Sequence, residues 1–266
     1  MRPLSVSDLL PWEYGVIALL FVWGGFVRSG LGFGGAVLTL PFLLLIRDEP
    51  LLFLPIISVH LLFFSGLTVW QAHRTDAKQG KAVSTINWEF LRYALPLMIV
   101  PKLIGVAGVI TLPGSLVTGF IFCTVTLYAI SYIVGRPFKS NSKRVDAFFL
   151  MLGGYVSGVS LIAAPLVVPV AASRVSKEQL RDTLFVLWIV LVGLKLLAFV
   201  LTDVDLQWSE HLWLLPCAAI GHVLGLRFHA YSLRADTQLF FRYLGIALLM
   251  VSAAGLARFW LSWTAG

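Results

Sequence analysis

Between Tyr14 and Ile46 an apolar stretch is interrupted by Val27-Arg28-Ser29-Gly30-Leu31-Gly32-Phe33-Gly34-Gly35-Ala36, which sets a guanidinium and a hydroxyl among glycines. Backbone of this density of glycine leaves polar groups unpaired, and hydrocarbon tolerates that only where protein or a water-filled cavity surrounds it. The chemistry available is electrostatic rather than covalent. A half-helix starting near Gly34-Gly35 would aim its N–H groups and positive dipole end into the break, which suits an anion. Arg28 would add a fork of donors for an oxyanion, Ser29 a hydroxyl, and Gly30 and Gly32 accessible backbone. Ser157, Gly158 and Ser160 form a sparser second stretch that would supply the matching half.

Other readings compete at each position. Gly30 with Gly34, and Gly221 with Gly225, have the spacing of close-packed helices. For Gly221 and Gly225 packing is the preferred reading; for residues 30–35 the glycine density exceeds what packing needs. Arg28 could snorkel to an interface, yet an arm from Tyr14 to Val27 would be about 20 Å long and would set Arg28 well inside the roughly 30 Å core. Lys102 and Lys195 lie inside apolar segments with no acid one helical turn away. An intramembrane ammonium calls for a cavity, a counter-anion or loss of its proton, which places Lys102 on a substrate path and Lys195 there or toward an acidic loop. His60, mid-segment, is a candidate proton carrier or a buried hydrogen-bonded core residue. Inside the apolar segments there is almost no Asp or Glu; Glu13, Glu89 and Asp146 sit at boundaries. A cation carrier would want a carboxylate there, so the balance favours an anion.

The elements that must position these groups follow from composition. Of 266 residues, 59% are hydrophobic and 12% charged, with a mean hydropathy of +0.90, which excludes an ordinary soluble domain. Runs of helix-spanning length point to an all-α polytopic membrane protein rather than a β-barrel. No small-residue cleavage pattern follows the first run, so it reads as a retained segment. Cys123 and Cys217 each stand alone, without metal-ligand spacing, and no metal or cofactor is expected. The net charge of +7 reports orientation in a membrane chain before it reports nucleic acid, so the expected partners are lipid and a small anion.

Eight apolar segments appear: 14–46, 51–70, 90–110, 115–134, 147–172, 183–201, 212–226 and 239–261. The first is too long for one span, and the fifth is interrupted by Gly153-Gly154, Gly158, Pro165 and Pro169. Basic loops containing Arg74, Lys78 and Lys81, Arg136 to Arg144, Arg174 to Arg181, and Arg227 with Arg234 should be cytoplasmic; the loop with Asp203, Asp205 and Glu210 should be external. Only if segments one and five enter and leave on one side, as re-entrant hairpins or extra broken crossings, do all basic loops fall together. At an offset of 128, Ser29-Gly30 aligns with Ser157-Gly158 and Pro41 with Pro169. Two inverted repeats are therefore expected, 1–135 and 147–266, joined by a basic cytoplasmic linker at 136–146. Each is a broken segment followed by three transmembrane helices, with the substrate expected where broken helices meet near the midplane.

The pattern Gly-Phe-Val-Arg-Ser-Gly-Leu-Gly-Phe-Gly-Gly-Ala followed by Pro41, its degenerate copy at Ser157-Gly158 to Pro169, and Gly221-x-x-x-Gly225 followed by Phe241-Arg242 resemble the TauE/SafE sulfite exporter family. That resemblance implies plasma-membrane carriers of sulfite, sulfonates and other sulfur-containing organic acids, driven by an ion gradient. The second copy departs from the pattern, with Leu161-Ile162-Ala163-Ala164 in place of glycines. Two further readings are an intramembrane hydrolase with Ser157 as nucleophile and His222 as base, and a passive anion channel on the same scaffold. An oligomer is compatible with the sequence.

Overall fold

The computed structural model describes residues 9–31, 34–79, 85–135, 142–232 and 237–264. Gly32, Lys81, Arg136, Lys139 and Arg234, to which the sequence analysis gives roles, lie outside them. The described residues form α-helices in the order α1 (Pro11–Leu31), α2 (Leu40–Ile46), α3 (Pro50–Gln79), α4 (Trp88–Thr111), α5 (Gly114–Val134), α6 (Lys143–Ser160), α7 (Ala164–Arg174), α8 (Lys177–Leu201), α9 (Trp208–Ser232) and α10 (Thr237–Thr264). Six contain stretches of 20 to 25 residues long and apolar enough to cross a membrane: α3, α4, α5, α8, α9 and α10. The protein is thus an all-helical, multi-pass membrane chain. The two over-long or interrupted segments are the ones that break, into α1 with α2 and α6 with α7, and each is followed by three long helices.

Each break has a local cause. After α1 the chain turns through Gly34, whose φ of +83° is open to glycine at little cost. After α6 the corresponding turn is made by Leu161 at φ +63°, a left-handed conformation that costs a non-glycine residue about 1 kcal/mol or more. Leu161 closes α6 by donating its N–H to the Ser157 carbonyl at 3.1 Å. Proline in the first turn of both α2 and α7 restarts the helix where a missing N–H is harmless.

Both broken segments are hairpins held shut at the mouth. Glu13, at the start of α1, accepts from Arg47, just past α2, at 3.2 Å. Asp146, at the start of α6, accepts from Arg174, the last residue of α7, with Nε at 2.9 Å. In both segments the acid is buried and the arginine about a quarter exposed. The chain therefore returns to the level at which it entered.

The helices pack as two compact units assembled from discontinuous stretches, one from 1–56, 108–137 and 205–266, the other from 57–107 and 138–204. In the first unit α9 lies along α1: a Cβ on Gly225 would meet the Phe26 carbonyl and Gly30 N, and one on Gly25 would meet the Ala218 carbonyl. In the second, α4 lies along α6 by the same device. A Cβ on Gly105 would meet the Tyr155 carbonyl and Val159 N, and one on Gly154 would meet the Met98 carbonyl. Lipid supplies no hydrophobic drive between helices, so such close backbone contact carries much of their association. Gly221, which meets Val22 and Phe26, is a packing residue as its spacing suggests.

Candidate functional site

In the second unit, two lysines converge on the end of one broken helix. The inward face of α4 carries Ala94, Met98, Lys102, Gly105 and Val109, while Val100, Leu103 and Ile104 are exposed on the opposite side. Lys102 therefore points into the protein and is fully buried. On α8 the buried face of Leu187, Leu191, Lys195 and Phe199 does the same for Lys195. Lys102 Nζ donates to the Ser157 carbonyl at 3.2 Å and to its hydroxyl at 2.8 Å. Lys195 Nζ donates to the carbonyls of Gly158 at 2.7 Å and Val159 at 3.3 Å.

These carbonyls belong to the last turn of α6, at the negative end of its dipole, and that of Ser157 also accepts the Leu161 N–H. The lysines satisfy that end, but the charge does not balance. With both lysines protonated, two full charges would stand against about half a charge from the helix terminus. Neither lysine has a carboxylate partner among the described residues. In the ammonium form each Nζ would have three N–H donors, two of them engaged by these carbonyls and the Ser157 hydroxyl, and Lys195 Nζ also lies 5.4 Å from the Phe199 ring centre. Ser157 is buried between backbone and Lys102, and Gly158 is held against the Lys102 carbonyl and Gly105, where any side chain would collide. The Ser160 hydroxyl bonds back to the Val156 carbonyl at 2.9 Å within its own helix, which leaves it an acceptor.

In the first unit, Ser29 Oγ lies 2.6 Å from Nδ1 of His222 on α9, both buried. Arg28, one position earlier, sits on a different face of α1: its Cβ abuts Gly35 on the returning strand, beside Gly24. Arg28 is 9% exposed, so it is packed into the protein rather than extended into solvent. Gly30 lies on the α1–α9 seam opposite Gly225. Gly35 approaches the Gly24 carbonyl too closely for a side chain.

The half-helix expected near Gly34-Gly35 starts instead at Leu40 and has seven residues. The positive φ of Gly34 and a run of turns at 35–39 delay it, and Leu38, Thr39 and Leu40 spend their N–H groups on the carbonyls of Gly34 and Ala36. The regular helix therefore begins beyond the position expected from sequence. His60 is buried in α3 with its ring edge-on to Phe64, in the second unit.

Helices α4 and α9 share a pattern that a search confined to the glycine-rich stretch misses. At an offset of 120, Trp88 corresponds to Trp208, Leu95-Pro96 to Leu215-Pro216, Gly105 to Gly225, and Lys102 to His222. The glycine contacts then set the register of the two broken helices: Gly25 and Gly154, Phe26 and Tyr155, Gly30 and Val159 meet equivalent partners. That register is 129, one residue from the offset of 128 read from sequence, and it puts Arg28 at the place of Ser157. Ser157 is bonded by Lys102 and His222 by Ser29, so the nucleophile and base of a hydrolase have other partners.

The family model described as "Sulfite exporter TauE/SafE" matches residues 17–256, which takes in both hairpins, both lysines and the Ser29–His222 pair. No curated protein and no solved structure gives a significant match. Members of that family are membrane transporters and not enzymes. The match covers nearly the whole chain and coincides with the helical, multi-pass architecture, so the protein belongs to the sulfite exporter TauE/SafE family.

Proposed function

We propose that the protein is a secondary transporter of the plasma (inner) membrane that exports a small oxyanion, such as sulfite, a sulfonate or a related organosulfur acid, by alternating access. The observation that carries this reading is the pair of fully buried lysines at the end of α6, with no carboxylate partner among the described residues. An anion resting there would supply the missing charge and accept the two remaining N–H groups. Lys102, Lys195, Ser157 and Gly158, all in the second unit, are then the core of the binding site.

We read the two halves, 1–135 and 147–266, as inverted repeats. The equivalent contacts of α1 with α9 and of α6 with α4, the two mouth ion pairs and the segregation of basic loops support that reading. Transport is tested in proteoliposomes loaded with sulfite, sulfate, methanesulfonate, chloride or phosphate. The expected result is saturable movement of sulfite or a sulfonate. Movement of none of these anions contradicts the carrier, and movement that never saturates replaces it with a channel.

A further inference from the structure

We propose that His222, paired with Ser29 on the first broken helix, is the group that couples transport to protons. The inference rests on the carrier reading above and assigns its coupling step. It starts from the correspondence of α4 and α9: the position that holds the fixed ammonium Lys102 in one unit holds an imidazole in the other. In each unit that basic side chain reaches a serine near the end of a broken helix, Ser157 at 2.8 Å and Ser29 at 2.6 Å. One unit thus carries a cation suited to hold the anion, and the other carries the side chain whose charge changes most readily near neutral pH.

Its partner makes that change possible without rearrangement. A serine hydroxyl rotates, donating to Nδ1 when that nitrogen is bare and accepting from it when it carries hydrogen. The 2.6 Å contact therefore survives in either protonation state. In each cycle the imidazole takes one proton from one side of the membrane and releases it to the other, and the anion moves in the same cycle. The proton enters at whichever ring nitrogen lacks one and leaves from the same atom.

The charged groups on the same two helices have their own surroundings. On α1, Arg28 is next to Ser29 but packs on the face toward Gly35, and Glu13 is at the far end, bonded to Arg47 and to the Leu10 N–H. Tyr14 packs on Trp213, near that same end. On α9, Glu210 bonds Trp213 and Ser209, His211 lies against the Leu206 carbonyl, and Arg227 is exposed. His60, a candidate proton carrier from sequence, is buried on α3 with its ring edge-on to Phe64.

The test compares sulfite uptake into proteoliposomes under a pH difference with sulfite exchange at equal pH, and reads their ratio. Wild-type protein should show a ratio several-fold above one, and His222→Gln and His222→Lys should bring it to one, whereas His60→Gln should leave it at the wild-type value. Should the His222 variants fail to fold, Ser29→Ala keeps the imidazole and removes its partner. It should lower the pH midpoint of gradient-driven uptake by about half a unit, because the hydrogen bond to the charged ring is stronger than the one to the neutral ring and its loss disfavours the charged form. A ratio that persists in His222→Gln, a ratio lost in His60→Gln, or an unmoved midpoint in Ser29→Ala overturns the assignment. Wild-type protein that moves sulfite equally at every pH difference overturns coupling and leaves the carrier standing, while protein that moves no small anion overturns both.

Discussion

The two broken helices end in opposite ways. The first, α1, ends in glycines: Gly34 supplies the turn, Gly35 lets the returning strand touch Arg28, and the nearest buried base from a neighbouring helix is a histidine held by a serine. The second, α6, ends without them. Leu161 takes the left-handed conformation itself, and two lysines from α4 and α8 fill the carbonyl end. Where glycine frees the backbone, one cation stays within the hairpin as Arg28; where ordinary residues form the turn, the cations arrive from outside it. The same hairpin, with its acid and arginine at the mouth, thus meets two lysines in one unit and a histidine in the other.

The comparison can be broken most severely at the lysines. Lys102→Met or Lys195→Met removes charge-assisted bonds to a buried helix end, and transport should fall by about 10- to 100-fold, the equivalent of roughly 1.5–3 kcal/mol. Liposome flux normalised to folded protein checks this. A double Met variant should be better balanced in charge and no less stable than either single one, since no ammonium is left buried.

A smaller effect is expected at the seams. Gly105→Ala and Gly225→Ala press a methyl onto backbone and should each cost roughly 1–3 kcal/mol, measured by thermal unfolding in detergent. Similar losses at both positions sharpen the equivalence of α4 with α9, and a large loss at only one would break it.

Smaller again are the hairpin mouths. Double-mutant cycles on Glu13 with Arg47 and on Asp146 with Arg174 should give couplings of about 1 kcal/mol, because both arginines are partly exposed. Arg174 also lies 4.7 Å from the Tyr93 ring centre, so Asp146→Ala should cost less than the loss of all its contacts. Gly34→Ala, at φ +83°, should cost about 1 kcal/mol.

Much of this architecture is legible in the residues. Helix breaks at Gly34 and after Gly158 follow from glycine and proline inside over-long apolar runs, and the boundary acids Glu13 and Asp146 mark where the hairpins begin. The burial of Lys102 and Lys195 follows from their place on apolar helices without acids nearby. Their target could not be read, because satisfying carbonyls of another helix depends on which faces meet, and nothing local to Lys102 or Lys195 names Ser157 or Gly158. The start of α2 was misplaced because glycine permits a helix without requiring one, and the turns at 35–39 use the freedom that Gly34 gives. The register of 128 came from a serine match, whereas packing aligns glycines. His222 escaped notice as a partner of Ser29 since the two are separated by most of the chain.

The most direct test of the account is sulfite flux measured in parallel for wild-type, Lys102→Met and Lys195→Met protein in liposomes, with folded state verified for each. The account predicts saturable flux for wild type and flux about 10- to 100-fold lower for both variants. Variants that carry sulfite at the wild-type rate would show that the lysines only close the end of α6, and would contradict the anion site.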